Sequence, residues 1–285
     1  MVALRIDTHP HLISPDTDRY PLAPLGGKRS EWSADAHSNT PEQLIAAMDD
    51  AGITKAAVVH SSTTYGYDNS LVLDAVAKYP KRLAAVCSID VLAENAVSVL
   101  KDVISRGCVG IRFFTTGTTM GQTSWLNDPK TYPVWKYASE IKLPICVQVN
   151  PPGQHMLRDM MDRFPDVQVL LDHFGRADLS GGPPYEDAKG VVEMASRYPK
   201  LVVKYTPSVV RDASKGKATM ATFLPLIVNA YGPERVMWGS NFPASHGTMS
   251  ELVAQCEAGL SFLSQPALEQ IMGGTALRIY PHLKS

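Results

Sequence analysis

The chain has 285 residues, of which 45% are hydrophobic and 19% charged, and its 27 Lys+Arg against 28 Asp+Glu leave a formal net charge of −1. That composition is globular, and it argues against a disordered chain and against a nucleic-acid or anionic-membrane partner. No apolar run approaches the ~20 residues of a spanning helix, the start Met1–Asp7 lacks a signal-peptide core, and Cys87, Cys108, Cys146 and Cys256 are scattered without C-x-x-C spacing. A disulfide framework is not expected, and a reducing, cytoplasmic setting is.

In chain order, the first β-branched run is Leu4–His9. A long loop, Leu12–Thr40, leads to a helix opened by Thr40 as N-cap with Pro41 at the first helical position and ended by Gly52. Seven further apolar runs follow: Ala56–His60, Leu83–Ser88, Val109–Phe113, Ile145–Val149, Val167–Leu171, Leu201–Tyr205 and Val236–Gly239. Between them lie stretches of helical period near Leu71–Lys78, Ala93–Ser105, Tyr132–Ile141, Met156–Phe164, Ala188–Tyr198, Thr219–Tyr231 and Met249–Leu263, with a last helix over Gln265–Met272. The runs are continuous rather than alternating, which suits parallel strands buried on both faces. Tyr79-Pro80, Phe164-Pro165, Tyr198-Pro199 and Tyr231-Gly232-Pro233 form a weak repeat at the helix-to-strand joins.

Helix-to-strand joins are tight. The strand-to-helix loops Leu12–Thr40, Ser61–Ser70, Thr115–Asp128, Phe174–Asp187 and Thr206–Ala218 are long. In a parallel barrel these loops share the face that carries active sites, so a functional mouth is expected there with Leu12–Thr40 as its lid.

His9 and His11 close the first strand as H-x-H. On an extended chain, residues two apart point the same way and can offer two imidazoles to one metal ion; two unrelated surface histidines are the plain alternative. His173 closes the sixth strand and Asn241 follows the eighth, so both are expected at the same mouth. Arg112 closes an apolar strand and needs a partner there; with Gln148, Arg176 and Tyr205 it forms the expected substrate-binding set, since guanidinium forks match carboxylates. Lys204 and Arg211 are further cations near the mouth. The hydroxyl-rich Ser61–Tyr65 and Thr115–Thr119 could bind substrate oxygens or merely cap helices, and Trp32, Trp125 and Phe174 could exclude water or merely pack loops.

Asp7-Thr8-His9-Pro10-His11, Gly110-Ile111-Arg112-Phe113, Leu171-Asp172-His173-Phe174-Gly175-Arg176, Trp238-Gly239-Ser240-Asn241-Phe242-Pro243 and Gly273-Gly274-Thr275-Ala276-Leu277-Arg278-Ile279-Tyr280-Pro281 occur in this order over nearly the whole chain. The set resembles the amidohydrolase superfamily, in the lactonase-like branch of 2-pyrone-4,6-dicarboxylate lactonase and 4-sulfomuconolactone hydrolase. The resemblance implies an α/β fold, a distorted (β/α)8 TIM barrel taken as one domain over residues 1–285. It also implies a hydrolase opening a small, carboxylate-bearing lactone, a small anionic substrate as partner, and an assembly of copies as one option. His9, His11, His173 and Asn241 would be catalytic. His9, His11 and His173 would hold one divalent metal, zinc before others, or act with none. A decarboxylase of the same superfamily and a non-catalytic ligand-binding barrel are the rival readings.

Two departures bear on mechanism. Family members commonly carry Asp where Asn241 stands, and an amide cannot take a proton near pH 7. Asn241 is then natural with another base (His246 is one candidate), or an engineered replacement, or the mark of a binder without turnover. The fifth strand offers only Gln148 and Asn150 and the fourth no lysine, which argues against a carbamate-bridged pair of metals.

Overall fold

The computed structural model describes residues 4–35, 38–115 and 125–284. Its eight strands are β1 (Ile6–Asp7), β2 (Lys55–Val59), β3 (Leu83–Cys87), β4 (Cys108–Phe114), β5 (Ile145–Gln148), β6 (Val169–Leu171), β7 (Val202–Tyr205) and β8 (Val236–Trp238). They pair in chain order, and each pairing is parallel. Thr8 closes the remaining gap: its N–H and its hydroxyl both donate to the Trp238 carbonyl, at 3.3 and 2.6 Å. The result is a (β/α)8 barrel, as the alternation of elements and the resemblance led one to expect.

Strand parity sorts the side chains into two apolar sets. Ile6, Ala57, Val86, Cys146, Leu170, Val202 and Met237 fill the barrel interior. Val58, Cys87, Ile111, Phe113, Val147, Leu171, Val203, Tyr205 and Trp238 face the helical layer. Each fully buried aliphatic side chain in these layers contributes about 1.5–3 kcal/mol. Tyr280, fully buried, plugs the lower end of the barrel, its hydroxyl 3.6 Å from Cys146 Sγ. Its approach is possible because Gly110 carries no side chain: a Cβ there would lie 3.3 Å from the Tyr280 ring.

The aromatic-proline repeat has a structural basis. Tyr79, Phe164 and Tyr198 cap their helices, each N–H donating back to the carbonyl four residues earlier. The following proline keeps each cap residue out of the helical region. The last helix differs from expectation. It runs over Gln265–Glu269, widens into a π-turn at Gln270–Gly274 and resumes at Thr275–Ile279. A Cβ at Gly273 would meet the Leu4 carbonyl at 2.7 Å, so the turn brings backbone against β1. Glu31–Asp35, Ser62–Tyr65 and Pro207–Asp212 are short helices inside the long loops that hydrophobic period did not reveal. No helix among the described residues is long and apolar enough to cross a membrane.

Candidate active site

Parity also carries polar groups inward at the upper end of the barrel. Cys146 faces the interior, so Gln148 does; Leu170 sets Asp172, and Val202 sets Lys204. Arg112 lies between the outward-facing Ile111 and Phe113. These four side chains meet. Arg112 Nε donates to Asp172 Oδ2 at 2.8 Å and its Nη2 to Gln148 Oε1. Lys204, fully buried, donates from Nζ to the Thr8 carbonyl at 3.0 Å and to His9 Nδ1 at 3.2 Å, and lies 3.5 Å from Asp172 Oδ1. Burial alone would push the Asp172 carboxyl up, but Lys204 and Arg112 beside it hold it below the usual carboxylate range.

The tautomers of two imidazoles follow from these partners. An ammonium has only hydrogens to give, so His9 Nδ1 accepts from Lys204 and the ring hydrogen sits on Nε2, which has no partner among the described residues. A carbonyl only accepts, so His11 Nδ1 donates to Val59 O at 2.8 Å and Nε2 keeps its lone pair. His173 places Nδ1 2.8 Å from Thr206 Oγ1 and 3.3 Å from Ser208 Oγ. All three rings are held neutral: burial pushes His11 down to about 3, with Arg112 adding to it. Burial also carries His9 and His173 well below their ordinary value, aided chiefly by Lys204 and Arg176 respectively.

The chain bends sharply to present His173. His173, Phe174, Gly175 and Arg176 have φ of 53°, 49°, 67° and 51°, a left-handed turn directly after β6. For the three non-glycine residues this costs about 1–2 kcal/mol each, offset by the Arg112–Asp172 and His173–Thr206 contacts on either side. Asn241, also left-handed at φ 53°, donates from Nδ2 to Ser245 Oγ at 3.1 Å. Asp7, whose carboxyl is raised by burial, accepts from the backbone N–H groups of His9 (3.0 Å) and Ser240 (2.8 Å), joining the two loops. Gly239 is required here, since a Cβ would lie 2.5 Å from His9 Cβ.

A cavity of about 150 Å³ opens above these groups, and His11, His173, Arg112, Gln148, Arg176 and Asn241 are among its lining residues. Arg176 stands exposed at its rim with no hydrogen bond or ion pair among the described residues. Trp32, from the Leu12–Thr40 loop, also lines it and stacks on His11 with ring centroids 5.2 Å apart. That loop is tied down by an Ile13–Asn39 bridge and by Ser30 Oγ 2.9 Å from Thr63 Oγ1; residues 36 and 37 lie outside the described residues. Ser61, Ser62 and Thr63 line the cavity too, whereas Thr116–Thr119 lie outside the described residues.

Several expectations need correction. Tyr205 does not face the cavity: by parity it points into the helical layer, where its hydroxyl donates to the Cys256 carbonyl at 3.0 Å. His246 is exposed and is not among the described residues that line the cavity, so the structure does not bring this candidate base to it. Arg211 pairs with Asp212 on the surface. Trp125 packs on Phe113 and Phe174 on Tyr205, so of the three aromatics only Trp32 walls the cavity. His9 lies beneath the cavity rather than in its wall, its ring 5.0 Å from His11 and 4.8 Å from His173. The donor atoms that gather within 4.8 Å of one another belong to His9, Asp172 and His173, with Asp172 in the place expected of His11. Two buried imidazoles and a carboxylate are the kind of donor set a divalent cation takes, but Lys204 already sits on His9 Nδ1 and beside Asp172 Oδ1. Asp172 stands in the sequence without an expected role, and Lys204 only as a further cation near the mouth. The signal was present: a charge inside an apolar strand must find a partner.

Fold and site together define a parallel barrel that gathers imidazole, carboxylate and guanidinium at the carboxyl ends of its strands, the arrangement of a barrel hydrolase. Residues 6–282 match the family model described as Amidohydrolase, and the chain belongs to that family. It is 27% identical over 244 residues to a 4-sulfomuconolactone hydrolase of Hydrogenophaga intermedia, covering 84% of this chain and 74% of the relative. Among solved structures, one from Pseudomonas putida, put forward as a 2-pyrone-4,6-dicarboxylic acid hydrolase, superposes with a TM-score of 0.80 at 21% identity over 99% of both chains. An amidohydrolase from Burkholderia multivorans with bound zinc superposes with a TM-score of 0.78 at 20% identity, over 98% of this chain and 99% of that one.

Proposed function

We propose that the protein opens a small, carboxylate-bearing lactone by attack of water on its carbonyl carbon. The observation that carries this reading is the set of three neutral imidazoles gathered beside and beneath a cavity whose wall and rim are guanidinium groups. Kinship with 4-sulfomuconolactone hydrolase supports it.

Arg176, with no hydrogen bond or ion pair among the described residues, takes the substrate carboxylate in a two-pronged pair. Arg112 and Gln148, bonded to each other, form a rigid polar wall beside it. Water adds to the carbonyl carbon as its proton passes to the lone pair on His11 Nε2; the ring C–O bond then breaks and that proton completes the new hydroxyl. The Arg112 guanidinium, which lines the cavity, stabilises the charge that develops on the carbonyl oxygen, an effect commonly worth ~3 kcal/mol per well-placed donor, with neutral His9 supporting the site from beneath. Asn241 accepts no proton; with its amide NH₂ held by Ser245, its oxygen is left to orient the water. His9, Asp172 and His173 are the residues that would hold a divalent ion such as zinc, which would supply Lewis-acid polarisation, provided His9 first gave up its contact with Lys204.

The test is ring opening across a panel of carboxylate-bearing lactones. His11→Ala is expected to lower kcat by about 100-fold, while Arg176→Ala raises KM with kcat less affected. Unchanged turnover in both variants would refute the assignment.

A further inference from the structure

The metal-donor cluster already contains a positive charge. Lys204 Nζ lies 3.2 Å from His9 Nδ1 and 3.5 Å from Asp172 Oδ1, two of its three residues, and is anchored from below by the Thr8 carbonyl at 3.0 Å. Both Lys204 and Asp172 are fully buried. On the other side, Arg112 Nε holds Asp172 Oδ2 at 2.8 Å. One carboxylate therefore faces two fixed cations, and the mouth of β8 carries a neutral amide, Asn241, rather than a second carboxylate.

From this we infer that Lys204 is the resident cation of the His9–Asp172 pair and acts as a positioning residue that opposes a divalent ion at the His9, Asp172 and His173 cluster. Two physical effects underlie it. The ammonium fills one side of the donor set and repels any incoming ion across a buried gap, where screening is weak. It also takes the Nδ1 lone pair of His9 and so leaves the hydrogen on Nε2. A metal-bound imidazole needs a bare nitrogen towards the ion and normally donates from its other nitrogen; Lys204 imposes the reverse on His9. The same contact leaves His9 Nε2 as a buried donor with no partner among the described residues, not as a ligand. The inference rests on reading that cluster as a cation site but not on which ester is hydrolysed.

The test is Co²⁺ binding by the metal-stripped full-length protein, read by d–d absorption and calorimetry, in the wild type and in Lys204→Met and Lys204→Gln. Neither replacement carries a charge, and Gln retains a donor. Even water-screened repulsion between a unit charge and a divalent ion a few ångströms away is worth about tenfold or more in affinity. Both variants are therefore expected to bind Co²⁺ at least about tenfold more tightly than the wild type, and adding His173→Ala should remove the gain. Equal or weaker binding in the folded variants would overturn the inference and leave lactone hydrolysis untouched, since turnover by the wild type is scored separately. Should neither variant fold, ¹⁵N NMR of the metal-free wild type decides: a hydrogen on His9 Nε2 with a bare Nδ1 is expected, and a hydrogen on Nδ1 overturns it.

Discussion

Burial of His9, His11, His60 and His173 is expected to make the folded protein sensitive to mild acid. Burial depresses His11 to about 3 and His60 to about 4, against 6.5 for a histidine in the unfolded chain, and moves His9 and His173 in the same direction. Between the unfolded value and the depressed folded one, the unfolded state binds the extra proton, so stability falls as pH falls through that window. Going from pH 7 to about pH 5 costs ~2 kcal/mol for each histidine that stays neutral in the fold, or ~4 kcal/mol for His11 and His60 together. His9 and His173 add to the loss. Total stabilities of ~5–15 kcal/mol make this a large fraction. Urea unfolding followed by circular dichroism at the two pH values measures it. His60 offers the control, because it does not line the cavity and its Nε2 donates to Gly66 O at 2.9 Å. His60→Gln should shrink the pH-dependent loss by ~2 kcal/mol. A total loss below ~1 kcal/mol in the wild type would refute the premise that these rings are buried neutral.

Other outcomes separate the residues that face the cavity from those that do not. Tyr205→Phe removes only the bond to the Cys256 carbonyl, so it should cost ~1 kcal/mol in urea unfolding and leave kcat/KM unchanged. Asn241→Asp supplies a proton acceptor at the mouth and is expected to raise kcat about tenfold or more, with the gain lost on the acid side as the new carboxylate protonates. Trp32→Ala removes the ring stacked on His11 and opens the cavity wall, so KM for small lactones should rise several-fold in steady-state assays.

The barrel was legible because most strands are short, continuous apolar runs and four of the joins repeat the same aromatic-proline helix stop. Leu83–Cys87 and Ile145–Gln148 could hardly be anything else. The site was legible in its imidazoles and guanidinium groups, since the motifs sit where strands end. Parity was not, because a strand's inward face is set by its neighbours' register. Tyr205 and Lys204 are adjacent, and only the pairing of β7 with β6 and β8 shows that Lys204 turns in and Tyr205 out. The H-x-H reading assumed an extended chain through Pro10, yet the His9 and His11 rings lie at 86° to each other and bond to different partners, Lys204 and Val59. The left-handed turn at 173–176 had a single sequence hint, Gly175, and depends on contacts from β4 and β7 that no local pattern encodes.

The most direct measurement is mass spectrometry of the product formed in H₂¹⁸O from carboxylate-bearing lactones. Water attack at the carbonyl carbon places one ¹⁸O in the newly formed carboxylate and none in the new hydroxyl, with no CO₂ released and the reaction suppressed by His11→Ala. Label in the hydroxyl, CO₂ as product, or no ring opening by the wild-type protein across the panel would contradict it.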